Sequence, residues 1–166
     1  MDAVIKRISI IVILAITALG SKAQNPDSLL NKFKVSFTEK IIYPYQLTSA
    51  CEATSALLQI NVNEQGKVYQ MNISKSVETP FLIEFIEQRK NFDLVSLQSY
   101  VDLKKYKSIV MLLPVNYYFT GNVCMSSHLK PELQIHYFDF ESGVPVSGKI
   151  KLLPPLNFSF VSEEVK

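Results

Sequence analysis

Apolar and polar residues alternate on both sides of a polar turn near the middle of the chain. A period of two is typical of half-buried β-strands. The turn ends in Gly66, a residue that takes a positive φ angle without steric cost, as a short hairpin loop requires. The pattern therefore predicts an antiparallel hairpin over 55–76. Its apolar face is expected to consist of Ala56, Leu58, Ile60, Val62, Tyr69, Met71 and Ile73.

A helix is predicted before this hairpin. Asn25 followed by Pro26 is typical of a helix start, because proline at the first helical position loses no hydrogen bond. The helix is expected to end before Tyr43 and Pro44, since a residue that precedes proline avoids helical angles. Its predicted inner face is Leu29, Leu30, Phe33 and Phe37.

A second helix is predicted after the hairpin, with Thr79 as its cap and Pro80 as its first residue. Its inner face is expected to carry Leu82, Phe85, Ile86 and Arg89. The stretch 91–107 fits either a broken helix or a packed loop, and both alternatives stay open.

The segment 109–119, "IVMLLPVNYYF", is rich in strand formers and predicts a strand that is partly covered on two sides. Pro114 cannot donate a ladder hydrogen bond, so we expect this strand at a sheet edge or at a bulge. A second hairpin is predicted from strands 133–140 and 150–160. The similarity of "LLPVNYYF" and "LLPPLNFSF" fits chance or an internal duplication.

The N-terminus has the pattern of an export signal. Lys6 and Arg7 precede the apolar run 8–19, and Ser21 and Ala23 supply the small residues of a cleavage site, so we expect cleavage after Ala23. The run is shorter than the roughly 20 apolar residues that span a membrane. An uncleaved anchor stays an alternative. Cleavage leaves 143 residues, which suits one domain.

Net charge and cysteine content indicate which partners and which compartment to expect. Removal of the signal lowers the formal charge from +2 to 0, and the only basic run is Lys104, Lys105 and Lys107. We therefore expect no nucleic-acid partner. The two cysteines, Cys51 and Cys124, would meet an oxidising compartment after export, where a disulfide or two buried thiols are both reasonable.

The sequence offers little that could perform chemistry. Neither His128 nor His136 has a second ligand at metal-binding spacing. The sequence contains no glycine-flanked serine elbow, and Ser74 and Ser76 end a strand, where hydroxyls commonly bond local backbone. Paired carboxylates are scattered over exposed positions. We expect no enzymatic activity, no cofactor and no metal.

The predicted elements follow one another in a recognisable order, and several of them end in a short sequence motif. A helix leads into "KIIYP" at 40–44, a turn ends in "GKV" at 66–68, a second helix ends in "RKNF" at 89–92, and the last strand reads "LPVNYYF" at 113–119. Over 83 residues, 37–119, the chain resembles the TonB C-terminal domain family, the periplasmic part of a transducer that contacts outer-membrane transporters. The membrane helix and proline-rich spacer of a working transducer are not found in the sequence.

The resemblance implies an α+β fold, a small antiparallel sheet braced by two helices, followed here by a C-terminal β-hairpin extension. The expected organisation is a signal peptide over 1–23, a TonB-C-like domain over 24–120, and the extension over 121–166 packed on the same domain. In the family, a transporter peptide adds as a strand beside the last strand of the sheet. The corresponding peptide-binding residues would be Ile109, Met111, Leu112, Val115, Tyr117 and Phe119.

Family topology would also bring Cys51 and Cys124 together, and a bridge between them would stabilise the fold by roughly 4 kcal/mol on the chain-entropy estimate. Whether the 133–160 hairpin covers the binding edge stays open.

The sequence therefore predicts an exported periplasmic module of the cell envelope that serves transport by binding a protein, either an outer-membrane transporter or its peptide. A homodimer stays open. The alternatives are an anchored transducer fragment, or a secreted or surface structural protein that binds carbohydrate. The latter would use the tyrosines Tyr43, Tyr45, Tyr117, Tyr118 and Tyr137.

Overall fold

Five strands form one mixed sheet in a computed structural model of the chain, which describes residues 25–120, 131–134 and 136–161. The fold class is α+β. The elements in chain order are helix α1 (Pro26–Lys40), helix α2 (Tyr45–Ser49), strand β1 (Thr54–Val62), strand β2 (Val68–Ile73), helix α3 (Thr79–Gln88), helix α4 (Leu94–Lys104), strand β3 (Ile109–Thr120), helix α5 (Pro131–Gln134), strand β4 (Lys149–Leu152) and strand β5 (Leu156–Val161). The predicted signal peptide lies outside the described residues.

Helix α1 begins and ends where its sequence predicts. The side chain of Asn25 accepts a hydrogen bond from the N–H of Asp27 at 3.0 Å, which satisfies one of the free donors of the first turn. The helix ends at Lys40, before the aromatic-proline step. Its predicted inner face is confirmed, because Leu29, Leu30, Phe33 and Phe37 are all buried.

Helix α3 begins one residue earlier than predicted, with Glu78 as its cap, and its buried residues are Phe81 and Phe85. The stretch 91–107, for which the sequence left two alternatives, contains helix α4. Asp93 caps α4 by accepting a hydrogen bond from the N–H of Ser96 at 2.9 Å. Among the described residues, three helices of ten or more residues, α1, α3 and α4, therefore pack on the sheet, one more than expected.

The hairpin of β1 and β2 is confirmed, with Leu58 opposite Ile73 and Ile60 opposite Met71. Gly66 has the positive φ angle that its turn requires, 79°. The register shifts next to Val62, which pairs with Val68. This bulge places Val68 against the core and leaves Tyr69 64% exposed, so the prediction that Tyr69 shares the buried face is wrong.

Strand β3 lies in the interior of the sheet, which corrects the expectation of an edge or a bulge. It pairs antiparallel with β1 along nine residue pairs. On its other side it pairs in parallel with β4 over 109–112 and with β5 over 115–120. The order is β2-β1-β3, with β4 and β5 sharing the far side of β3.

The position of Pro114 explains how an interior strand tolerates proline. The carbonyl of its partner Leu57 accepts the N–H of Ser74, and the N–H of Leu57 donates to Ser74 Oγ, so Leu57 turns its backbone polar groups away from β3. Pro114 consequently faces the C-terminal strands. It lies between Leu112, where the pairing with β4 ends, and Val115, where the pairing with β5 begins. The missing N–H thus points at the break between β4 and β5, where no ladder hydrogen bond is required.

The predicted hairpin of 133–140 and 150–160 is wrong. Residues 131–134 form a helical turn, and β4 and β5 both pair with β3 instead of with a strand from 133–140. The alternation in that stretch has another cause. Tyr137 and Phe140 pack on the second face of the sheet, against Leu57, Val110 and Leu112. They are therefore apolar because they belong to a segment that packs across this face, and not to a strand.

One hydrophobic core lies between the helices and the first face of the sheet. It contains residues from α1 through β5, with Phe33, Phe37, Phe81, Phe85, Leu97, Met111, Leu113 and Tyr117 among the most deeply buried. Phe158 of β5 stacks on Tyr117 at a ring-centre distance of 4.3 Å. Lys34 of α1 donates hydrogen bonds to the carbonyls of Pro154 and Pro155 at 2.6 and 3.3 Å. The C-terminal strands therefore belong to the same core.

Candidate functional site

The predicted peptide-binding residues lie inside the sheet. Met111, Leu112, Val115 and Tyr117 are buried, Ile109 is partly buried, and the side chain of Phe119 lies outside the described residues. On one side, β1 pairs with β3 from Ile109 to Tyr117. On the other side, β4 pairs with residues 109–112 and β5 with residues 115–120. A further strand can reach this position only if β4 and β5 leave it.

The outer edge of β2 offers another position for an extended partner. The N–H of Ser74 bonds Leu57 on β1, so the alternate residues Ile73 and Met71 direct their backbone groups away from β1. The carbonyl of Ile73 accepts the N–H of Glu141 at 3.0 Å. The carbonyl of Met71 accepts a hydrogen bond from Arg89 Nη1 at 3.2 Å. Groups of this chain thus occupy acceptors that an added strand would use.

A short segment of the chain already pairs with this edge. Phe140 forms an antiparallel bridge with Ser74, and the N–H of Lys75 donates to the carbonyl of Asp139 at 2.6 Å. The turn around Gly143, whose N–H bonds the carbonyl of Phe140, ends the pairing after Glu141. An extended segment of the chain therefore pairs with the C-terminal end of this edge, and within the part of the chain that the structure describes no strand pairs with the rest of it.

A groove of about 630 Å³ continues from the point where this pairing ends. We call it the β2 groove. Its lining residues are Val68, Tyr69, Gln70, Met71, Asn72, Ile86, Arg89, Lys90, Leu94, Glu141 and Ser142. One wall is the edge strand, and the other comes from the end of α3, the helical turn after it and the start of α4. Strand edge and helical wall together form a channel suited to an extended peptide.

An ion pair stands at one end of the β2 groove. Arg89 Nη1 lies 2.7 Å from Glu141 Oε1, and the Glu141 side chain is 11% exposed whereas that of Arg89 is 40% exposed. Burial raises the pKa of the Glu141 carboxyl, and the guanidinium opposes this rise. The guanidinium therefore covers the carboxylate and itself remains accessible to a ligand.

The tyrosines do not form one open surface. Tyr43 and Tyr117 are buried in the core and stack on each other at 4.9 Å, whereas Tyr45 is exposed on α2. Burial raises the pKa of Tyr43 to about 12 and raises that of Tyr117 as well. Tyr137 packs on the second face and donates a long hydrogen bond to the carbonyl of Ala56 at 3.4 Å. A carbohydrate platform of these residues would need the two buried rings.

The other candidates for chemistry have structural roles. Ser74 Oγ accepts the N–H of Leu57 at 2.9 Å, and Ser76 donates to the carbonyl of Ser55 at 2.9 Å. His136 Nδ1 lies 2.9 Å from the carboxylate of Asp139 in an exposed turn. Across the described ranges, no group of three or more histidine, cysteine or carboxylate side chains could hold a metal ion. His128 lies outside the described residues.

Cys51, three residues before the start of β1, is disulfide-bonded. Cys124 lies outside the described residues, so the pairing of Cys51 with Cys124 stays a prediction. Among the helices of the described residues, none is long and apolar enough to cross a membrane.

Sequence reasoning missed the residues that line the β2 groove. Arg89 was expected on the inner face of its helix, and Glu141 fell in the loop of a hairpin that does not form. A period-two pattern identifies the faces of a strand but carries no information about which edge lacks a neighbour. Searches of protein-family models, curated proteins and solved structures found no match to this chain.

Proposed function

We propose that this chain is an exported protein-interaction module of the cell envelope that binds an extended segment of a partner protein by strand addition. The proposed position is the outer edge of β2, in the β2 groove. One observation carries the proposal. The segment 139–141 pairs with the same edge and stops where the groove begins. A partner strand would continue the line that this segment starts.

The resemblance to the TonB C-terminal domain family supports recognition by strand addition but is part of the proposal. The described order of a helix, a hairpin, helices and a third antiparallel strand agrees with that resemblance. Under this resemblance the family's binding edge would correspond to β3, where β4 and β5 already pair. We therefore propose that recognition uses the opposite edge, and that outer-membrane transporters are one class of partner.

Arg89 acts as a placeholder in this mechanism. Its guanidinium donates to the carbonyl of Met71, where an incoming peptide N–H would donate in a strand pair. The N–H of Met71 points the same way and would bond a peptide carbonyl. Exchange of a side-chain donor for a main-chain donor leaves the carbonyl satisfied, so binding carries no penalty for a buried unpaired group.

The proposal can be tested with a displayed library of random octapeptides selected on the full chain. We expect enriched peptides whose affinity falls about tenfold with Ile86→Arg, which fills the groove. Ile83→Arg is the matched control, because Ile83 lies on the same helix, is 53% exposed against 43% for Ile86, and does not line the groove. It should leave binding unchanged.

Backbone methylation of a selected peptide tests the pairing itself without altering the protein. N-methylation should abolish binding at every second position and be tolerated at the positions between, because alternate N–H groups face the neighbouring strand. If no peptide is enriched, or if Ile83→Arg weakens binding as much as Ile86→Arg does, the proposed function is wrong. Uniform tolerance of methylation would exclude strand addition.

A further inference from the structure

The charged side chains that line the β2 groove differ in their exposure to solvent. Its charged lining residues are Arg89, Lys90 and Glu141. Glu141 is the only anion among them, and its side chain is 11% exposed beneath the guanidinium of Arg89. The wall that an incoming chain meets is therefore positively charged. A charge of this kind attracts an anionic ligand and rejects a cationic one.

Arg89 retains hydrogen-bonding capacity beyond its present contacts. Its two contacts, with Glu141 Oε1 at 2.7 Å and with the carbonyl of Met71 at 3.2 Å, both use Nη1. A guanidinium carries five N–H donors in a planar fork, which suits a carboxylate held by two parallel hydrogen bonds. Lys90 follows directly in the same wall and adds a second cation.

The remaining helical wall is apolar. Ile86 and Leu94 are 43% and 40% exposed and lie on either side of the two cations in the sequence. Side chains of an extended peptide that face one wall are two residues apart, about 7 Å. One such position would meet the cations, and the next would meet an aliphatic side chain.

We infer that the β2 groove recognises an extended segment of a partner protein in which an acidic residue lies two positions from an aliphatic or aromatic residue. This inference rests on the proposed function and specifies its ligand. The chain provides an internal precedent, because Glu141 presents its carboxylate to Arg89 from an extended segment on the same edge. The partner's carboxylate would bind the exposed side of the same guanidinium.

A charge exchange tests the inference. The double variant Arg89→Glu and Glu141→Arg keeps an ion pair but reverses its direction. The exposed member of the pair, at position 89, then carries a negative charge. Octapeptides selected on the full unaltered chain should be enriched in Asp or Glu two positions from Leu, Ile or Phe. Selection on the double variant should enrich Lys or Arg at that position instead. Lys32→Glu, an exposed change on α1 away from the groove, should select the same peptides as the unaltered chain.

The outcomes separate this inference from the function on which it rests. Peptides that lose affinity with Ile86→Arg yet lack an acidic preference would overturn the inference and leave strand addition intact. An absence of enriched peptides would overturn both. Sedimentation of the free protein measures its oligomeric state and shows whether a second copy of the chain binds in the groove. A dimer that Ile86→Arg dissociates would overturn the inference of a different partner protein. Should the double variant fail to fold by circular dichroism, Lys90→Glu takes its place, with the acidic preference expected to weaken about tenfold.

Discussion

Tyr43 shows how one side chain fixes the junction between the helices and the sheet. Its hydroxyl lies 2.7 Å from the carbonyl of Glu52 and 2.7 Å from Thr54 Oγ1. Tyr43→Phe should lower the free energy of unfolding by about 1 to 2 kcal/mol, because the buried hydroxyl of Thr54 and the partly buried carbonyl of Glu52 each lose a hydrogen bond. Denaturant unfolding measures this loss. Tyr45→Phe is the control, since Tyr45 is 79% exposed and its substitution should change stability little.

The same residue predicts a pH dependence at alkaline pH. Burial raises the pKa of Tyr43 from 10.0 to about 12, so the folded protein favours the neutral phenol. Stability should therefore fall as pH rises from 10 toward 12, by up to about 1.4 kcal/mol per pH unit from this group. Tyr43→Phe removes that contribution, and the stability difference between the two proteins should shrink across this range. A difference that stays constant would contradict the prediction.

Glu141 should make the free energy of unfolding depend on pH in the acidic range, in the direction expected for a buried carboxyl group. Burial raises its pKa above the ordinary 4.5, and Arg89 opposes the rise. The folded chain thus binds the proton more tightly than the unfolded chain does, and Glu141 should add stability as pH falls through its folded pKa. The unfolding free energy of the native chain minus that of Glu141→Gln should therefore increase on acidification.

Arg89→Met provides the internal comparison for this effect. Without the guanidinium, desolvation acts alone on the Glu141 carboxyl, so its pKa should rise further and the gain in stability should begin at higher pH. Carboxyl chemical shifts in an NMR titration measure both pKa values directly. A lower pKa in Arg89→Met would contradict the stated cause.

At the scale of elements, two glycines near β2, Gly66 and Gly143, allow the cost of backbone strain to be compared with the cost of a steric contact. Gly66 and Gly143 have φ angles of 79° and 69°. A Cβ on Gly66 would lie 3.2 Å from the carbonyl oxygen of Tyr106, whereas a Cβ on Gly143 would meet nothing within 4 Å. Both Gly→Ala changes should cost about 1 kcal/mol for the left-handed angle, and Gly66→Ala should cost more because of the contact. Thermal unfolding of the two variants measures the difference.

The elements that sequence reasoning placed correctly are those whose signal is local. The cap at Asn25, the period of two in β1 and the glycine of the turn all act within a few residues. The interior position of β3 was missed because Pro114 has two readings. A proline marks either an exposed edge or a place where the neighbouring strand is interrupted. The interruption between β4 and β5 lies about 40 residues away in the sequence, where local patterns carry no information about it.

At the scale of the whole molecule, the candidate site was less predictable than the core. The β2 groove joins a strand edge, the end of a helix and a loop after residue 140, so its composition depends on tertiary packing. Buried residues such as Phe33, Phe37 and Phe85 were identified because apolar periodicity reports burial directly. Part of the β2 edge has no strand partner among the described residues, and a periodic pattern of apolar residues does not report such an absence of pairing.

The shared core predicts that the C-terminal strands unfold together with the helices. Leu153 is 2% exposed and packs in the same cluster as residues of α1, while its neighbour Leu152 is 62% exposed. Leu153→Ala should lower the free energy of unfolding by about 2 to 4 kcal/mol, and Leu152→Ala should change it by less than about 0.5 kcal/mol. The destabilised variant should still unfold in one transition, with near- and far-ultraviolet circular dichroism coinciding. Two separate transitions would mean that β4 and β5 form a detachable cover, and the edge of β3 would then become accessible to a partner strand.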